Sequence, residues 1–216
     1  MSPRRELAER LSLIVITDPA APAGPLAAAR AALTAGAPAI QLRWKGGAAR
    51  DILELARALR RETLEADALL FVNDRVDIAL AAGADGVHLG DDDLPTSAVR
   101  RIVPPSFIIG RSVDTPDEAV AARKEGADYV GAGPVFATST KSDTGSVLGL
   151  AGLAAFRAAA GVPIVAIGGI TPAGVGGVRR AGADGIAVIG AVMFARDPAA
   201  ATAALLDEIR SAGSAK

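Results

Sequence analysis

Short apolar segments alternate with longer amphipathic segments along the chain. The short segments are continuous runs of hydrophobic residues, such as LSLIVIT at 11–17 and PIVAIGG at 163–169. Continuous apolar runs, rather than alternating ones, are typical of strands that are buried on both faces of a parallel sheet. Such segments lie at 11–17, 37–43, 68–73, 86–90, 107–112, 128–133, 163–169 and 185–190. The pattern therefore predicts eight parallel strands.

The longer segments are Ala-rich and have the period of a helix. Examples are 25–36, 49–66 and 198–213. Strands that alternate with helices predict right-handed βαβ units, and eight such units predict a closed (β/α)₈ TIM barrel. A doubly wound open sheet is the alternative. We expect a single domain over 1–216, with residues 1–10 and 212–216 at its periphery.

Four segments share a Gly-Ala turn followed by a strand: AGAPAIQLR, AGADGVHLG, EGADYVGAG and AGADGIAVIG. Their first glycines are Gly36, Gly83, Gly126 and Gly182. They precede the predicted strands 2, 4, 6 and 8, which suggests a duplicated unit of two strands and two helices. A simpler interpretation is that the turn only ends a helix before a strand, and both interpretations can hold together.

Composition excludes several classes of function. The chain has no Cys, which excludes disulfides, zinc–cysteine sites and a cysteine nucleophile. Its one His, His88, argues against a polyhistidine metal site and a Ser-His-Asp relay, and we interpret it as structural. A net charge of −1 with 3% aromatic residues gives no surface for nucleic acid.

Hydrophobic patterning gives no membrane or export segment. The amino-terminal sequence MSPRRELAERL lacks the apolar core of a signal peptide, and the uncharged run at 158–178 is broken by Gly and Pro. We therefore expect a cytoplasmic protein with no membrane partner. The Ala-rich helices leave open whether it forms a homo-oligomer.

The end of predicted strand 2 carries Gln41, Arg43 and Lys45. These residues alternate at period two, so their side chains point the same way. Arg grips phosphate oxygens bidentately and Lys acts as a point charge, which suits a phosphate or a diphosphate. Solvated basic residues at a strand end are the alternative.

Carboxylates follow the next two strands. Asp74 ends predicted strand 3, and Asp93 belongs to the Asp91–Asp93 run after strand 4. Mg²⁺ usually takes one or two carboxylates together with phosphate and water oxygens, so this pair suits Mg²⁺ shared with substrate phosphates. The alternatives are a helix N-cap for Asp74 and a solvated acidic turn at 91–93.

A second anion-binding region is expected across the barrel. Glycines follow predicted strands 7 and 8, where many barrels bind phosphate, so this region comprises the ends of strands 7, 8 and 1. The loop after strand 6 carries hydroxyls and a Lys that also suit phosphate, and an ordinary flexible loop is the alternative. The residues concerned are Thr138, Ser139, Thr140, Lys141, Gly169 and Gly190. Two anion regions predict a ligand with two phosphates or two phosphorylated substrates.

Six motifs together resemble the thiamine phosphate synthase family over roughly residues 12–195. They are QLRWK (41–45), NDRVDIALAAGADGVHLGDDDLP (73–95), IIGRS (108–112), GADYVGAGPVFATSTK (126–141), VPIVAIGGIT (162–171) and AGADGIAVIGAV (181–192). The resemblance implies a transferase that joins 4-amino-2-methyl-5-(diphosphooxymethyl)pyrimidine to thiazole phosphate, giving thiamine phosphate and pyrophosphate. It also implies that pyrophosphate leaves first, and that the thiazole nitrogen then captures a pyrimidine-stabilised carbocation.

The resemblance assigns roles to individual residues. It implies that Asp74 and Asp93 ligate Mg²⁺ and that Ser112 lies near the reacting methylene. Arg43 and Lys141 count with Ser112 as catalytic. The pyrimidine diphosphate would be held by Gln41, Arg43, Lys45 and Asn73, with Lys141 also in contact. The thiazole phosphate would be held by Thr138, Thr140, Gly169, Ile189 and Gly190. Leu42, Trp44, Ser112 and Ser139 are expected to bind substrate beside them.

The chain departs from the family pattern at three positions. Asp91 stands where the family often has Gln, Asp114 where it often has His, and Gly190 where it usually has Ser. Two alternatives of the same fold are a thiazole tautomerase and a non-catalytic regulator that binds thiamine phosphate. The tautomerase relies on a His in the region of Asp114 and typically lacks the Asn73-Asp74 pair, so the synthase is the favoured hypothesis.

Overall fold

Eight parallel strands close into a barrel in the order of the chain. The computed structural model describes residues 3–138 and 147–213. The strands are β1 (Leu13–Ile16), β2 (Ala39–Leu42), β3 (Leu69–Asn73), β4 (Gly86–Leu89), β5 (Ile108–Val113), β6 (Tyr129–Ala132), β7 (Ile164–Ile167) and β8 (Gly185–Val188). Seven lie within a predicted segment and β5 extends one residue beyond its own, to Val113. The (β/α)₈ barrel is therefore confirmed, and the open-sheet alternative is wrong.

Helices surround the barrel and connect its strands. They are α1 (Pro3–Arg10), α2 (Pro25–Thr34), α3 (Ala49–Glu65), α4 (Val76–Ala82), α5 (Thr96–Ile102), α6 (Pro116–Lys124), α7 (Gly149–Ala159), α8 (Pro172–Arg180), α9 (Gly190–Met193) and α10 (Pro198–Gly213). In α3, Ile52, Ala56 and Leu59 are buried at helical spacing. This apolar stripe packs the helix against the barrel wall, as the sequence pattern predicts.

Two aromatic rings fill the part of the barrel interior near the amino ends of the strands, which we call the lower end of the barrel. Phe71 and Tyr129 point inward from β3 and β6 and meet edge to face, with 5.5 Å between their ring centroids. Gly110 on β5 makes room, because a Cβ atom there would lie 2.2 Å from a ring carbon of Tyr129. The rings therefore close the interior on the side of the strands' amino ends.

Three aspartates of the repeated Gly-Ala-Asp turn fasten the lower end of the barrel. Each precedes an even-numbered strand, and its carboxylate accepts the backbone N–H near the start of the odd-numbered strand before it. The pairs are Asp85 with Leu70 at 2.8 Å, Asp128 with Ile109 at 2.8 Å and Asp184 with Ile164 at 3.0 Å. The turn is thus more than a helix stop.

Each of these carboxylates also forms an ion pair with an arginine. The arginine lies on the helix that precedes the odd-numbered strand of the same pair. The partners are Arg60 of α3 for Asp85, Arg100 of α5 for Asp128 and Arg157 of α7 for Asp184. One side chain thereby joins a helix, the strand that follows it and the next strand. The first copy of the repeat has Pro38 in place of Asp and therefore has no carboxylate to bind the preceding strand. The Pro38 carbonyl accepts the N–H of Leu69, at the start of the following odd-numbered strand β3, at 2.9 Å.

Helix α1 lies against the same end of the barrel. Arg4 donates to the carbonyl of Val162, just before β7, and Arg10 donates to the carbonyl of Asp67, just before β3. Leu7 packs against the core. Among the described residues, no helix is long and apolar enough to cross a membrane.

We expect Asp85→Ala to lower the free energy of unfolding by about 2–3 kcal/mol, because the Leu70 N–H and Arg60 both lose a charged acceptor in a part-buried site. Urea unfolding measures this loss. The matched control is Asp207→Ala, which breaks only an exposed ion pair with Arg210 on α10 and should cost about 0.5 kcal/mol or less. Equal losses in the two variants would contradict the fastening role.

Candidate active site

A cavity of about 650 Å³ opens where the strands end at their carboxyl termini. Its floor is the layer of inward-facing residues above the Phe71 and Tyr129 rings, and its rim is formed by the loops that follow the strands. This volume is typical of sites for small molecules and cofactors. In (β/α)₈ enzymes this mouth carries the chemistry, so the predicted site residues should lie around it.

The end of β2 supplies two cations and an amide. Gln41, Arg43 and Lys45 all line the cavity. The buried Thr17 hydroxyl accepts the Arg43 N–H at 3.0 Å and donates to the Arg43 carbonyl at 3.4 Å, which fixes the backbone that carries the guanidinium. The Gln41 side chain is 3% exposed and has no hydrogen-bond partner among the described residues. Its amide is therefore available to a ligand.

Leu42 and Trp44 alternate with these residues and face the other way. They line a smaller pocket of about 340 Å³. Lys45 and Asp74 line both this pocket and the larger cavity. A Cβ atom at Gly47 would lie 2.9 Å from the indole of Trp44, so the ring lies directly over that glycine. Trp44 thus packs within its own loop, which carries Lys45.

Asp74 sits in a strained turn at the end of β3. Its φ is +65°, a region that residues other than Gly rarely adopt. The Arg75 N–H donates to the Asn73 carbonyl at 2.7 Å, which closes a γ-turn around Asp74, and the Asp74 N–H donates to the His88 carbonyl at 2.9 Å. Strain of this kind persists at functional sites where the surrounding structure enforces it.

Asp93 is held by the turn after β4. One of its carboxylate oxygens accepts the Gly90 N–H at 2.6 Å. Arg111 at the end of β5 donates to the Gly90 carbonyl and, at 2.8 Å, to the Asp91 carboxylate. The turn is therefore fixed between β4 and β5.

Neither carboxylate serves the structural roles that the sequence left open. The residue at the N-cap of α4 is Arg75 and that of α5 is Pro95, and neither cap involves a side-chain hydrogen bond. Asp93 is half-buried, whereas Asp91 and its neighbour Asp92 are exposed. The N-cap interpretation of Asp74 is wrong, and the solvated-turn interpretation fits only the first two aspartates of the run.

The carboxyl groups of Asp74 and Asp93 face each other, and both residues line the smaller pocket. Burial, followed by a hydrogen bond and repulsion from Asp93, raises the pKa of Asp74 from 3.8 to about 6, against smaller opposing effects of Lys45 and Arg43. Two such groups bind either a proton or a divalent cation. The described residues contain no group of three or more His, Cys, Asp or Glu that could hold a metal. A cation here would take most of its ligands from phosphates and water.

Backbone rather than side chains forms the opposite side of the cavity. Gly168 and Gly169, after β7, both have positive φ, at 98° and 64°. The loop after β6 runs against them: the Phe136 N–H donates to the Gly168 carbonyl at 3.1 Å, and a Cβ atom at Gly169 would lie 2.6 Å from the Ala137 carbonyl oxygen. Only glycine fits this contact, which leaves main-chain groups beside the cavity.

Most of the predicted site residues are brought together. Those that line the larger cavity are Gln41, Arg43, Lys45, Asn73, Asp74, Ser112, Thr138, Gly169, Ile189 and Gly190. Leu42, Trp44 and Asp93 line the smaller pocket instead. Ser139, Thr140 and Lys141 lie outside the described residues.

Sequence reasoning missed the contacts of His88. Its Nε2 lies 3.0 Å from Ser112 Oγ, and its Nδ1 lies 3.0 Å from Tyr129 Oη. The interpretation of His88 as structural overlooked its link to a predicted catalytic residue. No sequence pattern could have found this link, because it depends on the register between strands, which also places His88 beside Asn73 of β3.

We expect Asp74→Asn to stabilise the metal-free protein at neutral pH. The raised pKa means that ionised Asp74 destabilises the folded state, a penalty that grows as pH rises from about 4 to about 6 and disappears below that range. Asn tolerates positive φ and removes the charge. Thermal unfolding in EDTA should show a gain at pH 7 that vanishes near pH 4. A gain independent of pH would contradict this account.

Comparison with known proteins identifies the family of the chain. A family model described as thiamine monophosphate synthase matches residues 13–192. A thiamine-phosphate synthase from Methanoculleus marisnigri is 52% identical over 184 residues, which cover 85% of this chain and 87% of the relative. A thiamine-phosphate synthase from Moorella thermoacetica is 50% identical over 183 residues, with the same coverage of both chains. The solved structure of thiamine phosphate pyrophosphorylase from Pyrococcus furiosus superposes with a TM-score of 0.88 at 45% identity, covering 95% of this chain and 98% of that chain. The chain belongs to the thiamine monophosphate synthase family.

Proposed function

We propose that the chain joins 4-amino-2-methyl-5-(diphosphooxymethyl)pyrimidine to thiazole phosphate, releasing pyrophosphate and forming thiamine phosphate with the assistance of Mg²⁺. The proposal rests on how the charged side chains and the glycine backbone are placed around the cavity. The cationic end of β2 and Asp74 after β3 lie on one side of the cavity, with Asp93 beside Asp74 in the adjoining smaller pocket. The glycine backbone after β7 lies across the cavity from them, since β3 and β7 are opposite in the ring of eight.

The β2–β4 side suits the pyrimidine diphosphate. Arg43 and Lys45 offer the positive charge that two phosphate groups need, and Asn73 adds an amide donor beside them. The unpartnered Gln41 amide lies deeper, where it can pair with the polar edge of the pyrimidine ring. Binding of this substrate therefore combines charge at the rim with hydrogen bonding inside the barrel.

The residues present fit Mg²⁺. Asp74 and Asp93 would hold it, because their carboxylates face each other and leave further coordination positions to phosphate oxygens. When bound, the cation neutralises charge on the diphosphate and makes it a better leaving group.

The chain's own residues then favour a dissociative substitution. The C–O bond between the pyrimidine methylene and the diphosphate breaks with both electrons leaving on oxygen, and the thiazole nitrogen lone pair forms the new C–N bond. Arg43 and Lys45 stabilise the departing charge, and Ser112 presents its hydroxyl at the cavity floor. Ile16 and Ile167 on the wall keep water from the carbocation.

The β7–β8 side suits the thiazole phosphate. The glycines after β7 expose backbone to the cavity, and Ile189 and Gly190 continue this surface after β8. Gly190 offers a backbone N–H but lacks the hydroxyl that Ser would add. Thr138 from the loop after β6 completes the described part of this region.

The alternatives of the same fold have less support. Position 114, where the tautomerase relies on a His, holds an exposed Asp at the rim, and the Asn73-Asp74 pair is present. A regulator would not need facing carboxylates beside two cations. Cytoplasmic location and homo-oligomerisation stay predictions.

Thiochrome fluorescence after oxidation tests the activity directly. Purified protein with both substrates and Mg²⁺ should form thiamine phosphate, and EDTA should abolish it. Asp93→Asn should raise the Mg²⁺ concentration needed for half-maximal rate by about tenfold, the effect of losing one charged ligand. Asp92→Asn, at the exposed neighbour, is the matched control. The opposite ranking would move the metal role to Asp92, and product binding without turnover would support the regulator.

Lys45→Ala should raise the apparent KM for the pyrimidine diphosphate about tenfold or more, since a hydrogen bond to a charged group contributes about 1.5–3 kcal/mol. The KM for thiazole phosphate should change little. Steady-state kinetics with each substrate varied in turn measures both, and Lys124→Ala, an exposed lysine in the last turn of α6, serves as control. If the thiazole KM changed instead, the two anion regions would be exchanged.

A further inference from the structure

Three side chains from adjacent strands form one hydrogen-bonded chain inside the barrel. Tyr129 of β6 lies 3.0 Å from His88 Nδ1, and His88 Nε2 lies 3.0 Å from Ser112 Oγ of β5. Tyr129 is 1% exposed, and all three residues contribute to the lining of the cavity. The chain therefore runs along the inner end of the cavity and ends at the Ser112 hydroxyl.

The barrel wall is shaped to admit this chain. A Cβ atom at Gly110 would lie 2.4 Å from the phenolic oxygen of Tyr129, and one at Gly131 would lie 3.1 Å from Cε1 of His88. Any larger residue at Gly110 would displace the phenol. Two inward-facing strand positions are thus left without side chains where the phenol and the imidazole lie.

The direction of the hydrogen bonds follows from the phenol. Burial, with the nearby charge of Asp128, raises the pKa of Tyr129 far above its usual range, so the phenol keeps its proton. Within the described part of the chain, His88 Nδ1 is the hydrogen-bond partner of that hydroxyl. If Nδ1 carried a proton and donated to the phenolic oxygen, the phenol's own proton would be buried without an acceptor, which is costly.

We propose that Tyr129 is a positioning residue: by donating to Nδ1 it fixes His88 as the tautomer protonated on Nε2, and thereby orients the Ser112 hydroxyl. Nε2–H then donates to Ser112 Oγ, and the serine's own proton points to the cavity as a donor. The kinetic consequence rests on the proposed function. A donor at this position stabilises negative charge as the diphosphate departs.

The single histidine makes the test direct, because ¹⁵N-histidine labelling gives the signals of one imidazole only. At pH 8, the ¹⁵N shifts of the wild-type protein should report a protonated Nε2 and an unprotonated Nδ1. Tyr129→Phe, which keeps the ring, should lose this pure state. A wild-type Nδ1–H tautomer would overturn the proposal, whatever the variant does and whether or not the protein turns over its substrates.

Kinetics separate positioning from packing. Tyr129→Phe should lower kcat about tenfold, the equivalent of one hydrogen bond, and leave both KM values within about twofold. In a Ser112→Ala background the same change should have no further effect on kcat, because the hydroxyl that these hydrogen bonds orient is then absent. A further fall of equal size in that background would overturn the proposal, as would an unchanged tautomer with unchanged kcat.

Phe71→Leu is the matched control. It disturbs the edge-to-face packing of the Tyr129 ring but leaves the phenolic oxygen in place. It should lower the unfolding temperature and keep the Nε2–H tautomer. Loss of the tautomer in this variant as well would show that general packing, rather than the phenol's hydrogen bond, sets the state of His88, and would overturn the proposal.

Discussion

The interior of a closed parallel barrel must be filled from its inward-facing positions, and here it is filled on one side only. Phe71 and Tyr129 occupy the side of the amino ends, where strand glycines give their rings room. Beyond the rings, Gln41, His88 and Ser112 take inward positions, and the remaining space stays open as the cavity. Every later feature of the site depends on this unequal filling, because it determines which side chains can reach a ligand.

The site holds groups that oppose folding. Asp74 combines a positive φ with a carboxyl group that faces Asp93. Both features cost stability in the free protein, and a bound cation relieves the repulsion between the two carboxyl groups. The surrounding contacts of Thr17 and Arg111 keep the backbone in place despite this cost.

The barrel and much of its mouth could be predicted from the sequence, because continuous apolar runs specify buried strands and a period of two places Gln41, Arg43 and Lys45 on one side. Other features needed the structure. The strained turn at Asp74 depends on hydrogen bonds to residues on two strands, and the contact of His88 with Ser112 depends on the register of β4 and β5. A sequence pattern carries periodicity within a strand, but it does not carry the alignment between strands or the space that Gly110 and Gly131 leave.

The carboxylates of Asp85, Asp128 and Asp184 lie at the far end of the barrel from the cavity. Each joins one strand to the next within a pair, so the wall consists of successive two-strand blocks, each with its own internal fastener. Such a block can be copied or exchanged as a unit, and the loops at the mouth can change without loosening it. The framework of strand pairs and the loops that carry the chemistry can therefore change independently. The pair that contains β2 has Pro38 at the Asp position and lacks this fastener.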